Sequence, residues 1–327
     1  MSKFTLALIA AVSAATGAGL TAVIYSSHSE RKTASQTQPN ASRDRPSDLY
    51  SEPSTKSPVD PAGIYQYGFP GPVADLAQRK ALISSYDRRL RNPHWVAEHI
   101  TPSSLKSPEA DRKLSVFMED ESIPEKFRGK LKDYARSGYD RGHQVPAADL
   151  KWSQNAMNET FYLSNMCPQV GEGFNREYWA HFEDFCRRLT QRYPSVRIVT
   201  GPLYLPKKDN TDGKWRVNYE VIGNPPNIAV PTHFYKVIFA ENETASSPVA
   251  LGAFVLPNTP IPNSKPITDF EVPLETVERA SGLEFANLLP PERRRRLCAE
   301  HNCSLVIREF TKRQNQSGGT NNKSKNN

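Results

Sequence analysis

The chain has 327 residues, enough for one large domain or two small ones. Its 42 Lys+Arg against 35 Asp+Glu give a formal net charge of +7, which suits a polyanionic partner such as nucleic acid or an anionic membrane surface. Part of that excess lies in the run Arg293 to Arg296 and in the C-terminus, where a charge run is by default a solvated face. Four cysteines, Cys167, Cys186, Cys298 and Cys303, are too few in so long a chain for a disulfide scaffold, and no CxxC pair occurs. The reading favours reduced, buried thiols. Cys298 and Cys303 are close enough in sequence to pair, and the redox compartment stays open.

Residues 4–25 form an apolar stretch broken only by Ser, Thr and Gly, long enough to span a bilayer at about 20 residues per crossing. Its core also has the form of a secretory signal. The absence of acidic residues before Glu30 suits a mitochondrial presequence; the absence of arginine before Arg31 does not. Residues 1–28 are therefore read as a targeting signal that can stay as a membrane anchor. Residues 29–61 are a linker rich in Ser, Thr, Pro and charge, with too few large apolar side chains to offset ordering entropy. Residues 311–327 read as a similar disordered tail. The folded part is expected over 62–310.

Within it, helices are predicted over residues 75–82, 124–134, 176–192 and 274–281, and strands over 196–200, 215–222, 234–240 and 250–256. Strands in runs, with helices between and after them, suggest α+β rather than a βαβ repeat. No GxGxxG and no Walker loop occurs, so nucleotide-cofactor folds lose support.

The densest stretch of unusual residues is 139–188. Asp140-Arg141-Gly142-His143 sets a cation beside a base that works near neutral pH without large tuning, and Gly142 permits close backbone approach. Arginine grips phosphate bidentately. Further on, Asn175 is a candidate helix N-cap. Tyr178, Trp179, Phe182, Phe185, Cys186 and Leu189 recur at helical spacing as a buried face, and Glu183 and Arg187 fall at its edge. Each residue also has a plain structural reading: a hydrogen-bonded histidine, a cap, an i,i+4 ion pair. A zinc site from His143, Cys167 and Cys186 fits no usual ligand spacing. His99 beside Glu98 reads first as structural. Trp152, Trp179 and Trp215 read first as core, with base stacking second.

The ordered set Asp140 to Gln144, Thr160-Phe161-Tyr162-Leu163-Ser164-Asn165, Asn175 and Glu183 resembles the DNA/RNA non-specific endonucleases with the ββα-metal (His-Me finger) core, and in particular fungal mitochondrial nucleases of the endonuclease G type. Tyr65 to Pro72, Trp95 to Thr101, Phe127 to Leu131 and Val199 to Tyr204 also resemble that family, so the similarity covers roughly residues 60–310. The resemblance implies an α+β fold with a mixed, largely antiparallel sheet core. It implies His143 as the general base that activates water and Asn175 as the direct ligand of Mg²⁺ or Mn²⁺. Glu183 would hydrogen-bond the metal's waters, Arg141 and Arg187 would stabilise phosphate charge, Asp140 would orient its neighbours, and Asn165 would support the site. It further implies DNA and RNA as substrates without strong sequence preference, 5′-phosphate products and a homodimer. Roles in nucleic-acid degradation, recombination and cell death follow from the same resemblance. The expected location is mitochondrial, at the inner membrane or intermembrane space. The rivals are a secreted nuclease, with which sites such as Asn242-Glu243-Thr244 are compatible, and a non-catalytic nucleic-acid binding protein.

Overall fold

The computed structural model describes Pro58 and residues 62–68, 75–244 and 246–308. The expected signal, nearly all of the linker, the tail and residues Phe69 to Pro72 of the resemblance lie outside the described residues. Nine strands of three or more residues organise the described chain: β1 (Leu76–Gln78), β2 (Leu82–Asp87), β3 (Asn92–Ile100), β4 (Asp140–His143), β5 (Met166–Gln169), β6 (Ser195–Leu203), β7 (His233–Glu241), β8 (Val249–Pro257) and β9 (Arg294–Arg296). Seven form one sheet in the order β1-β2-β3-β6-β7-β8-β9, while β4 and β5 pair separately. All contacts in the large sheet are antiparallel except β8–β9, which is parallel. The mixed, largely antiparallel α+β core expected from the sequence is what forms.

The apolar runs of β6 and β7 are continuous because both faces of the sheet are covered. Val196, Ile198, Phe234, Ile238 and Ala240 join one core, with Trp179, Phe182 and Phe185. Val199, Leu203, Tyr235, Val237 and Phe239 join the other, with Leu274 and Val277. Even-numbered and odd-numbered residues thus part to opposite faces, as a two-residue period requires. Each large apolar side chain so buried contributes about 1.5–3 kcal/mol relative to exposure.

Three α-helices among the described residues have six or more residues: α1 (Gln154–Glu159), α2 (Tyr178–Leu189) and α3 (Leu274–Ser281). The six residues expected on the buried face of α2 are all buried, together with His181. Helix α3 has the predicted bounds and stops at Gly282, whose φ of 73° gives a left-handed cap.

Residues 75–82 are not a helix. Leu76–Gln78 pairs antiparallel with Ser85, Ser84 and Ile83, so tertiary pairing overrides a helix-favouring composition. The helix expected over 124–134 is reduced to short turns at Glu125–Phe127 and Leu131–Tyr134, with Gly129 between them. The alternating run 215–222 becomes two short strands, Trp215–Arg216 paired with Lys207–Lys208, and Val221–Ile222 paired with Ile228–Ala229. It lies outside the large sheet; Ile222 at its end is buried, but Trp215 is 67% exposed rather than core. The reduced-thiol reading holds for Cys167 and Cys186, which are free and buried, but Cys298 and Cys303 form a disulfide. The short helix Leu297–Glu300 brings their Cα atoms to 5.2 Å, within bridging range.

Candidate active site

β4 delivers the proposed base. It pairs with β5 in the register Asp140↔Gln169, Arg141↔Pro168, Gly142↔Cys167 and His143↔Met166. The Gln169 side chain crosses Gly142 so closely that a Cβ there would lie 2.0 Å from Gln169 Oε1; only glycine leaves room for it. His143 ends the strand 8% exposed, with its ring centroid 5.6 Å from that of Phe117 and 4.9 Å from that of Phe161. Its Nε2 is buried without a hydrogen-bond partner. Burial, and after it Arg112 and Arg141, push the His143 pKa down to about 3. The imidazole is therefore neutral at physiological pH, the form that accepts a proton.

Asn165 fixes the chain just after His143. Its Nδ2 donates to Val145 O (2.9 Å) and Thr160 O (2.8 Å), and its Oδ1 accepts from Val145 N at 3.0 Å. The Gln144 N–H donates to Asn165 O at 2.9 Å. Every side-chain polar group of Asn165 is thus engaged inside the protein, tying down the loop after His143.

The second half of the site comes from the wide turn Gly171–Asn175, in which Asn175 N and Arg176 N donate to Val170 O and Gly171 O. Gly173, at φ 76°, makes this turn possible. Asn175 does not cap α2. The cap position is Glu177, and the Asn175 Nδ2 instead donates to Asp140 Oδ2 at 2.9 Å. Asp140 also accepts from Arg176 Nε and Nη2, at 2.7 and 2.5 Å. One carboxylate thus ties the start of β4 to the turn before α2. With its nitrogen committed to Asp140, the Asn175 amide has its oxygen left to offer, and a hard divalent cation takes oxygen ligands. Among the described residues no group of three or more His, Cys, Asp or Glu is arranged to hold a metal, which disfavours the zinc reading.

Along α2, Glu183 is half-buried. Burial pushes its pKa up to about 7, against the opposing pull of Lys236 and Arg187. Arg187 does not form the expected i,i+4 ion pair. Its Nη1 contacts Asp149 Oδ1 at 2.7 Å, and its Nη2 lies 3.7 Å from Asp184. Burial works against the Arg187 charge, but Asp149 and then Glu183 outweigh this and hold its pKa above the usual value. Arg141 is exposed and lies 4.1 Å over the Phe117 ring, while Arg112 lies 5.2 Å over Phe161. The two arginines thus sit on the same aromatic pair that flanks His143.

The structure brings His143, Arg141, Asp140, Asn165 and Asn175 together around β4, and Glu183 and Arg187 together on α2. The charged groups around Glu183 that sequence reasoning did not single out are Arg112, Asp149, Glu98 and Lys236. Asp149 and Arg112 carry no local signal. Glu98 and Lys236 carry one, a charge inside an apolar strand. His99 is structural in place, with Nε2 2.9 Å from Ser195 Oγ, and burial followed by Arg197 lowers its pKa to about 3. Trp179 is core; Trp152 is half-buried against the apolar cluster that includes Val96 and Leu150.

Comparison with known proteins gives the family and the fold. The family model of DNA/RNA non-specific endonucleases matches residues 60–292. A mitochondrial nuclease of Saccharomyces cerevisiae is 65% identical over 256 residues, covering 77% of this chain and 78% of that protein. The mitochondrial endonuclease G of Caenorhabditis elegans is 46% identical over 71% of this chain and 75% of its own length. A crystal structure of endonuclease G in complex with its inhibitor EndoGI superposes with a TM-score of 0.69 at 46% identity, over 73% of this chain and 99% of that one. The fold is that of the ββα-metal nucleases. The chain belongs to the DNA/RNA non-specific endonuclease family and is a hydrolytic endonuclease.

Proposed function

We propose that the site hydrolyses phosphodiester bonds of both DNA and RNA, with neutral His143 as general base. The observation that carries this reading is the Asp140 bridge, which joins the strand bearing His143 to the turn bearing Asn175. His143 removes a proton from water, the water oxygen attacks phosphorus, and the P–O3′ bond breaks; the leaving O3′ takes a proton from solvent, giving 3′-hydroxyl and 5′-phosphate ends, and His143 releases its own proton to solvent. Arg141 and Arg112 meet the phosphate from the aromatic shelf. Their neutralisation by the anion removes one of the influences that weaken His143 as a base. Asn175 would hold the divalent cation, Mg²⁺ or Mn²⁺, and Glu183 would accept hydrogen bonds from its waters. When bound, that cation supplies positive charge to the phosphate and the leaving oxygen. Arg187, engaged by Asp149, acts on the site through its charge. Asn165 positions the His143 loop.

On this reading residues 62–310 form the nuclease domain, 29–61 a linker and 311–327 a tail. Residues 1–28 target the protein to mitochondria, with 4–25 as a tether at the inner membrane facing the intermembrane space. The Cys298–Cys303 disulfide supports an oxidising compartment, a feature that a secreted nuclease would share. The protein acts as a homodimer. The test is cleavage of plasmid and of RNA with Mg²⁺ or Mn²⁺, with and without chelator. Both substrates should be cut only with metal present. An intact plasmid, or equal cutting in chelator, rejects the proposal.

A further inference from the structure

Lys236 stands in the middle of the sheet, on β7, and is 1% exposed. Burying a cation there costs several kcal/mol unless charge of opposite sign is close, yet nothing in the steps above uses it. Its Nζ donates to Thr200 Oγ1 at 2.8 Å and lies 4.9 Å from the centroid of the Trp179 ring. Thr200 is its cross-strand partner on β6, and Trp179 belongs to α2. The side chain is thus clamped between the sheet and the helix that carries Glu183, four residues beyond Trp179.

A hydroxyl and an aromatic face orient a cation but do not balance its charge. The carboxyls nearby are those of Glu98 and Glu183. Glu98 is on β3 opposite Ile198, one row from Lys236 on the same face of the sheet. It is 1% exposed, and neither of its oxygens has a hydrogen-bond partner. Around Glu183 the charged groups are Lys236 from β7, Arg187 from its own helix, Asp149 from the loop after β4, Arg112 from the segment before β4, and Glu98 from β3. Among them Lys236 offsets the burial of Glu183 most.

We infer that Lys236 is a positioning residue for the hydrolysis: held by Thr200 and Trp179, it supplies from the sheet side the positive charge that keeps the Glu183 carboxylate in place. The inference rests on the proposed role of Glu183. It differs from a purely structural role, in which Lys236 serves only to balance Glu98.

The test is a set of double-mutant cycles read by steady-state nicking and by thermal unfolding. Lys236→Met should lower kcat at least tenfold and leave KM for DNA within about twofold. Combined with Glu183→Gln it should be no slower than Glu183→Gln alone, within about twofold. Combined with Glu98→Gln it should stay at least tenfold slow, while Glu98→Gln alone keeps its rate. The inference is overturned if the Lys236 and Glu183 losses multiply, or if Glu98→Gln restores the rate of Lys236→Met. Should Lys236→Met not fold, Lys236→Gln in the Glu98→Gln background carries the same comparison. If Glu183→Gln itself cuts at the wild-type rate, the reading of the site fails rather than the inference about Lys236.

Discussion

Replacing Asn165 by aspartate exchanges an amide NH₂ for an oxygen and leaves the shape of the side chain almost unchanged. The two donor bonds to Val145 O and Thr160 O are lost, and two carbonyls inside the protein then face a carboxylate oxygen. Each lost bond is worth about 1 kcal/mol net, and each stranded buried acceptor costs about 1–3 kcal/mol. The variant should therefore be destabilised by on the order of 3–5 kcal/mol at pH 8. The new carboxyl would have its pKa raised by folding, so the loss should shrink as pH falls towards 4, where protonation returns one donor. The chain after His143 hangs on this residue, through Val145 N and Gln144 N. Cleavage should also fall by about tenfold or more, as misplacement of a reacting group costs rate steeply. Urea unfolding at pH 5 and pH 8, with nicking rates measured beside it, reads both effects. A variant with the wild-type unfolding midpoint and wild-type nicking would refute the assignment of Asn165 as the pin of the His143 loop.

Three further outcomes follow from the geometry. Arg187→Leu strands Asp149, which is 1% exposed, and should cost about 3–5 kcal/mol of stability; adding Asp149→Asn should recover much of that in a thermal melt, and purely additive losses would dismiss the ion pair as the cause. Arg141→Ala should weaken binding to all nucleic-acid sequences alike and reduce the slope of log affinity against log salt by about one; an unchanged slope in a filter-binding titration would remove Arg141 from phosphate contact. His143, with its pKa pushed down to about 3, favours the fold while neutral. Its contribution is complete above about pH 6.5 and is lost as pH falls towards 3, on the order of 5 kcal/mol in full. His143→Gln should flatten the acid limb of the unfolding midpoint, and a limb as steep as wild type's would show that the titration lies elsewhere.

Some of this was legible in the sequence because it is local and periodic. Helix α2 announces its buried face through residues spaced for a 3.6-residue turn, and β6, β7 and β8 through apolar runs, although β6 continues through Gly201 and Pro202 to Leu203, past the end the turn residues suggest. The run Asp140 to His143 could be found because unusual residues are adjacent there. What could not be read depends on pairing across long separations. Residues 75–82 have the composition of a helix but meet β2 as an edge strand. Asn175 has the chemistry of a cap, and only the fold places Asp140 beside it, 35 residues away in the chain. Arg187 was expected to meet Glu183 on its own helix; Asp149, from 38 residues earlier, takes it instead. Lys236 hides inside a strand whose pattern asks for an apolar side chain, and its meaning emerges only when Thr200 and Trp179 stand on either side of it.

The most direct measurement separates chemistry from binding. Single-turnover cleavage of a labelled duplex, and affinity for the same duplex in chelator, are to be measured for wild type, His143→Ala and Asn175→Ala. Loss of the base should reduce the cleavage rate by about 10²–10⁴-fold. Loss of the proposed metal ligand should reduce it comparably at low Mg²⁺, and in both variants affinity in chelator should remain within about threefold of wild type. Variants that cut at the wild-type rate, or that lose cleavage only in proportion to lost binding, would contradict the assignment of a base on β4 and a metal ligand at the turn before α2.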